Sequence, residues 1–229
     1  MNPKILFVTA THGNESIGVE VIKKIKNNKE SRFSDIIANP KAFEQNKRFI
    51  ESDLNRIFPG KINGTYEERL AKKIVDVGKS YNWIIDLHGS ASPTGIFIII
   101  TKFTLANFFL ALRFDIPRIV IWPNTKETNG SLSTFMPTGI EIESGLRDDP
   151  KIKKQLEIII KKFLAERNKA LNYEKEIQKK EVYILYDKLS KKEPKPENLT
   201  NWQSTDSYYP LFVGGQYIDI WCYKLKKLN

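Results

Sequence analysis

Short apolar runs closed by glycine, proline or asparagine alternate along the chain with longer stretches in which apolar residues return every three or four positions. Residues 4–10 contain Ile5-Leu6-Phe7-Val8 and end in Thr11-His12-Gly13, the pattern of a strand buried on both faces. Residues 15–27 then space Ile17, Val19, Val21, Ile22 and Ile25 as a helix would. A second short strand, 35–38, is stopped by Asn39-Pro40. Helical spacing returns over 66–80, with Leu70, Ile74 and Val77 on one side, over 104–112, and most strongly over 149–168. Runs at 83–87, 95–101, 116–122 and 138–142 read as further strands. Strands alternating with helices predict an α/β layer structure around a mostly parallel sheet.

From about residue 174 the pattern changes. Residues 181–186 look like a strand, 191–201 form a Lys/Pro/Glu-rich loop, and strand-like runs follow near 210–213 and 217–223. The expected organisation is therefore a catalytic-size α/β unit over 1–170 and a small β-rich appendage over 171–229. The appendage is too short to hold a large core alone.

Composition narrows the picture only a little. With 229 residues, 41% hydrophobic and 28% charged, the chain has the make-up of an ordinary globular protein. No apolar stretch has the length of a membrane span, and the N-terminus enters a strand-like run without a signal-peptide pattern. One cysteine, Cys222, rules out an internal disulfide framework and fits a reducing compartment, so a cytoplasmic location is expected. The net charge of +10 could serve nucleic acid or an acidic substrate. The lysines, however, interleave with apolar residues, as in Ile22-Lys23-Lys24-Ile25-Lys26 and Lys151-Ile152-Lys153-Lys154, which is how a solvated helix face is built.

The candidate chemistry lies at the only two histidines. His12 sits in Thr11-His12-Gly13-Asn14-Glu15 and His88 in Asp86-Leu87-His88-Gly89, each where an apolar run gives way to glycine. A lone histidine near a turn is ordinarily just a polar residue. Two in the same setting, each beside a carboxylate, supply the His/Glu/His set of a catalytic zinc that keeps one position for water. His12 and Glu15 are close enough for one loop to turn both inward, and His88 would arrive from a strand end. Asp86 shares a strand face with His88 and is placed to back an imidazole N–H. These residues predict a metallohydrolase with one Zn2+ per chain.

With these motifs in order along about the first 150 residues, the chain resembles the succinylglutamate desuccinylase/aspartoacylase family of zinc carboxypeptidase-like hydrolases. The resemblance rests on Thr11-His12-Gly13-Asn14-Glu15, Ala38-Asn39-Pro40-Lys41-Ala42, the stretch from Lys47-Arg48 through Asp53-Leu54-Asn55-Arg56 to Phe58, Asp86-Leu87-His88, and Pro137-Thr138-Gly139-Ile140-Glu141. Tyr209-Pro210-Leu211-Phe212-Val213 echoes the family's C-terminal β domain. The resemblance implies a zinc carboxypeptidase-like three-layer α/β/α core with a mostly parallel mixed sheet. It implies His12, Glu15 and His88 as metal ligands and Asn55 with Arg56 as the pair that holds a substrate's free carboxylate. Arg48 would then polarise the scissile carbonyl. For the general base, Gly139-Ile140-Glu141 favours Glu141, while the Glu-x-Gly of Glu143-Ser144-Gly145 also fits, and both side chains share a face.

The sequence departs from the family in a shorter C-terminal part and in residues 125–134, which contain no arginine and only Lys126 as a cation. Tyr217 matches a substrate-contacting tyrosine with a one-residue gap. The implied reaction is hydrolysis of N-acyl amino acids, small molecules with a free carboxylate. A carboxypeptidase acting on peptides or cell-wall fragments is the second enzymatic reading. A basic nucleic-acid-binding module on an inactive fold is the rival of another class, and a homo-oligomer is left open.

Overall fold

Among the described residues, nine apolar runs become nine strands of one mixed sheet. The structure is a computed structural model that describes residues 3–27, 33–123, 129–215 and 218–229. The strands are β1 (Ile5–Thr9), β2 (Ser34–Ile37), β3 (Trp83–Ser90), β4 (Gly95–Ile100), β5 (Arg118–Ile121), β6 (Gly139–Gly145), β7 (Glu181–Ser190), β8 (Tyr209–Leu211) and β9 (Ile220–Lys227). Their spatial order is β2-β1-β3-β6-β4-β5-β7-β9-β8. The pairs β2–β1, β1–β3, β3–β6, β4–β5 and β5–β7 are parallel; β6–β4, β7–β9 and β9–β8 are antiparallel.

Alternation along each strand sorts the core into layers. On β1, Ile5 and Phe7 point to one face, where helices α1 (Ile17–Lys26), α4 (Leu105–Leu112) and α5 (Pro150–Glu166) bury Ile22, Leu110 and Phe163 against them. Leu6 and Val8 point to the other face, covered by Ala71, Ile74 and Val75 of α3 (Tyr66–Gly78). The result is the expected three-layer α/β/α arrangement. The start of α3 is set by a capping box in which Thr65 Oγ1 accepts from the Glu68 N–H and Glu68 accepts from the Thr65 N–H. The apolar side read over 66–80 is displaced: Val77 is 37% exposed, and Ala71 and Val75 take its place in the core.

The strands after residue 170 continue this sheet. β7 pairs with β5 in register from Arg118↔Glu181 to Ile121↔Ile184. Phe97, Ile99, Val120 and Trp122 share one apolar cluster with Tyr183, Leu211, Phe212, Tyr223 and Leu225.

Among the described residues, two α-helices went unread in the sequence. The short α2 (Pro40–Glu44) begins at the Asn-Pro that ends β2, with Asn39 Oδ1 accepting from the Ala42 N–H and Pro40 in the first turn. The short α6 (Tyr173–Gln178) has no fully buried side chain, so it shows no apolar stripe to read. The lysines of α1 and α5 do face outward: Lys24 and Lys161 pair with Glu157, whose side chain is nearly buried beneath them.

Candidate active site

The loop after β1 can turn two side chains inward because it packs tightly on α2. A Cβ at Gly13 would lie 2.2 Å from the carbonyl carbon of Ala42, so only glycine fits there. The Gly13 N–H donates to Arg48 O at 3.1 Å and the Glu15 N–H to His12 O at 3.0 Å. His12 Nδ1 then lies 2.8 Å from Glu15 Oε1. β3 runs further than its apolar run, to Ser90, because it pairs with β6 as far as Ser90↔Gly145. That extension places His88 Nδ1 3.3 Å from Glu15 Oε2, which also accepts from the Gly89 N–H at 2.9 Å. One candidate ligand atom from each of His12, Glu15 and His88 lies within 4.8 Å of the others, and all three residues are buried.

Each imidazole has a carboxylate behind it. His12 Nε2 is 3.0 Å from Asp53 Oδ1. His88 Nε2 lies 3.1 Å from Asp86 Oδ2, a close but misaligned contact that leaves both atoms buried without a hydrogen bond. The other Asp86 oxygen accepts from Thr11 Oγ1 at 2.9 Å. Burial is the largest single influence and opposes charge on the histidines, yet Glu15 with Asp53 at His12, and Asp86 with Glu15 at His88, together outweigh it, and both pKa values are raised. Burial likewise opposes charge on Glu15 and Asp53, yet His12 and His88 hold Glu15, and His12 with Arg48 and Arg56 hold Asp53, below the usual carboxylate range. The carboxylates thus favour positive charge at the point where the two imidazoles meet. A divalent cation fits this donor set, with protons displaced as it binds.

Asp53 ties in a second motif. It caps the 3-10 turn Leu54–Arg56 by accepting from the Asn55 N–H, and its Oδ2 receives Arg48 Nε at 3.0 Å and Nη2 at 2.9 Å. Arg48 Nη1 stands 3.9 Å from Glu15 Oε1. Asn55 is buried, with its side-chain oxygen unpaired.

Glu141 and Glu143 point the same way from β6 but meet different neighbours. Glu141, in register with Asp86, accepts from Ser133 Oγ at 2.8 Å. Glu143 is in register with His88. Burial and then the charge of Glu15 push its pKa up to about 8. Burial also raises that of Glu141. The three candidate ligands, Arg48, Asn55, Arg56 and both glutamates line one cavity of about 280 Å³. Asp86 stands behind it. Tyr217 and Lys126 lie outside the described residues.

Residues 1–145 match the family model of the succinylglutamate desuccinylase/aspartoacylase catalytic domain. The chain belongs to this family. A probable aspartoacylase of Acaryochloris marina is 30% identical over 161 residues, 62% of this chain and 55% of the relative. One from Prochlorococcus marinus is 30% identical over 207 residues, 80% of this chain and 68% of the relative. The chain thus spans between about half and two thirds of these relatives. Among solved structures, murine aminoacylase 3 superposes with a TM-score of 0.75 at 16% identity, over 99% of this chain and 95% of that one. The succinylglutamate desuccinylase of Chromobacterium violaceum does so with a TM-score of 0.73 at 15% identity, over 100% and 85%. Both share the fold.

Within this family fold, two residues with structural weight at the site were not singled out from the sequence. Asp53 lies inside the Asp-Leu-Asn-Arg motif, so its presence was visible but its reach to His12 was not. Glu67 looks like a first-turn acid of α3. It is in fact fully buried and accepts from the backbone N–H groups of Ile50 (2.7 Å), Glu51 (3.1 Å) and Ser52 (3.3 Å) and from Asn39 Nδ2 (3.2 Å). It therefore clamps the loop between Arg48 and Asp53.

Proposed function

We propose that the chain is a zinc-dependent hydrolase of N-acyl amino acids. The observation that carries this is the convergence of His12, Glu15 and His88, with a carboxylate behind each imidazole, in a cavity also lined by Glu141, Glu143 and three arginines. Zinc held there would lower the pKa of a bound water and polarise a carbonyl.

The chain's own groups divide the remaining work. Glu143 takes the proton from the attacking water and returns one to the leaving amine. Its pKa, raised to about 8 by burial and Glu15, lies near the range a group needs to do both, and a cation at the ligand cluster would draw it down. Glu143 is favoured over Glu141, the residue to which the Gly-Ile-Glu motif leans. Glu143 sits beside His88, while Glu141 is held by Ser133 next to Asp86. Arg48, anchored by Asp53, would offer its guanidinium to the oxygen of the scissile carbonyl as negative charge builds there. Asn55 and Arg56 would hold the free carboxylate of the amino acid. A small-molecule substrate and a cytoplasmic location complete the proposal. Cys222 is free and buried, and among the described residues no helix is long and apolar enough to cross a membrane.

Elemental analysis of the purified protein and of His88→Ala tests the assignment, together with hydrolysis of N-acetyl-aspartate, N-succinyl-glutamate and a short peptide. About one zinc per chain, lost in the variant, and cleavage of an N-acyl amino acid are expected. Equal metal content in both proteins, or cleavage of the peptide alone, refutes it.

A further inference from the structure

Glu141 has no part in the chemistry assigned so far. It lines the cavity and is only 4% exposed. Its Oε1 accepts from Ser133 Oγ at 2.8 Å. Ser133 Oγ lies 2.7 Å from Thr101 Oγ1, which receives Thr134 Oγ1 at 3.0 Å. A hydroxyl has one proton to give, so Ser133 accepts from Thr101 and Thr101 from Thr134. Three hydroxyls thus donate in series toward one carboxylate, an arrangement that suits an ionised Glu141.

Among the described residues no lysine or arginine forms an ion pair with this carboxylate. Arg48 is held by Asp53. Arg147 rests on Gly89, where an added Cβ would come 2.7 Å from Arg147 Cβ. Gly89 lies three positions beyond Asp86 on β3, whereas Glu141 is in register with Asp86 itself, so about 10 Å of strand separates the two. Burial raises the pKa of Glu141, and His88, Ser133 and Arg56 do not fully offset the rise. A buried carboxylate without a counter-charge is costly, and a cation arriving in the cavity removes that cost.

Position indicates what brings the cation. The segment that carries Ser133 is seated on Arg56: a Cβ at Gly130 would fall 2.0 Å from the Arg56 carbonyl carbon, and the Phe58 N–H donates to Gly130 O at 3.1 Å. Glu141, held by Ser133, is therefore on the Arg56 side of the cavity. Across the sheet it lies opposite Ile99, and the same face continues through Val120 to Trp122. Ile99, Trp122, Phe212 and Tyr223 line the cavity, with the Trp122 and Tyr223 rings 4.7 Å apart. A carboxylate at the edge of an apolar, aromatic wall matches a side chain with a hydrocarbon stem and a cationic tip. With the substrate's free carboxylate at Asn55 and Arg56 and the scissile bond at the ligand cluster, the group that reaches Glu141 is the amino acid's own side chain. Resting on the function proposed above, we infer that Glu141 is a specificity-determining residue that binds the cationic end of that side chain. The preferred substrates are N-acylated basic amino acids, and acidic ones are disfavoured by like charge.

The test compares the Nα-acetyl derivatives of lysine, norleucine and glutamate on the zinc-loaded protein, its Glu141→Gln variant and its Glu141→Asp variant. In the wild type kcat/KM should fall in that order. The ratio for lysine over norleucine should drop about 10- to 100-fold in Glu141→Gln, the range for losing a charged hydrogen bond, and recover in part in Glu141→Asp. Binding of free lysine, measured by calorimetry against norleucine, provides a readout independent of turnover and should weaken in the same order. A wild-type preference for norleucine or glutamate over lysine, or a ratio and lysine affinity within about threefold of wild type in Glu141→Gln, overturns the subsite while N-acyl hydrolysis stands. Loss of turnover on all three substrates alike in Glu141→Gln, with lysine affinity kept, also overturns it and makes Glu141 the general base in place of Glu143. Glu141-dependent lysine binding without hydrolysis of any N-acyl amino acid overturns the proposed activity and leaves the cation subsite in place.

Discussion

Replacing Glu67 by glutamine tests whether a buried carboxylate remote from the reacting atoms sets the geometry of the site. One oxygen of Glu67 accepts from Ile50 N–H and Asn39 Nδ2, the other from Glu51 and Ser52 N–H. Glutamine keeps one acceptor and turns the other into an NH2 group facing N–H donors, so at least one pair of bonds is lost. Hydrogen bonds to a charged group contribute about 1.5–3 kcal/mol each, and partial rehydration of a relaxed loop recovers some of the two lost, leaving about 3 kcal/mol. For a chain of 229 residues, at about 2–4 °C per kcal/mol, Tm should fall by about 6–12 °C. The loop that loses its clamp carries Arg48 at one end and Asp53 at the other. A shift of about 1 Å in positioning groups can cost about 100-fold in rate, so kcat/KM should drop by that order at saturating zinc. Calorimetry and steady-state assays read both quantities. A Tm within about 2 °C of wild type together with kcat/KM within about threefold would refute the clamp.

Two other perturbations follow from the same contacts. Asp53→Asn weakens the support of His12 and the anchor of Arg48; metal affinity should fall about 10- to 100-fold, measured by competition with a chelator, and an unchanged affinity would remove Asp53 from the site's support. Glu157, held by Lys161 and Lys24, has its pKa lowered to about 2, so its contribution is present above the unfolded value of about 4.3 and is lost as pH falls through about 2. Because the lysines are 43% and 63% exposed, the effect should be only about 1 kcal/mol and weaken in salt. Stability curves of Glu157→Gln between pH 5 and 2 should be flatter than wild type by that amount, and parallel curves would contradict it.

Element type was written locally. Apolar runs of four to seven residues marked all nine strands, and three-to-four spacing marked α1, α3, α4 and α5. The candidate ligand set was also legible, because two histidines stood in one kind of context where runs met glycine. Pairing was a different matter. Periodicity says which face a residue takes but not which strand lies beside it, so Glu141 and Glu143 were equivalent until register set one against Asp86 and the other against His88. The same holds for residues 171–229, whose strands read as an appendage and pair onto the sheet through β5 and β7.

Polar residues were the least readable. Asp53 touches His12 across 41 positions, Glu67 gathers N–H groups 15 to 17 positions away, and Arg147 rests on Gly89. Each looks in the sequence like ordinary surface charge. A charged side chain acquires its role from what burial places around it, and burial is decided by chain segments far apart in sequence. The sequence by itself therefore determined the strands, the main helices and the family's motifs. Only the tertiary structure decided which glutamate lies in register with His88 and which distant polar side chains burial gathers around the candidate ligands.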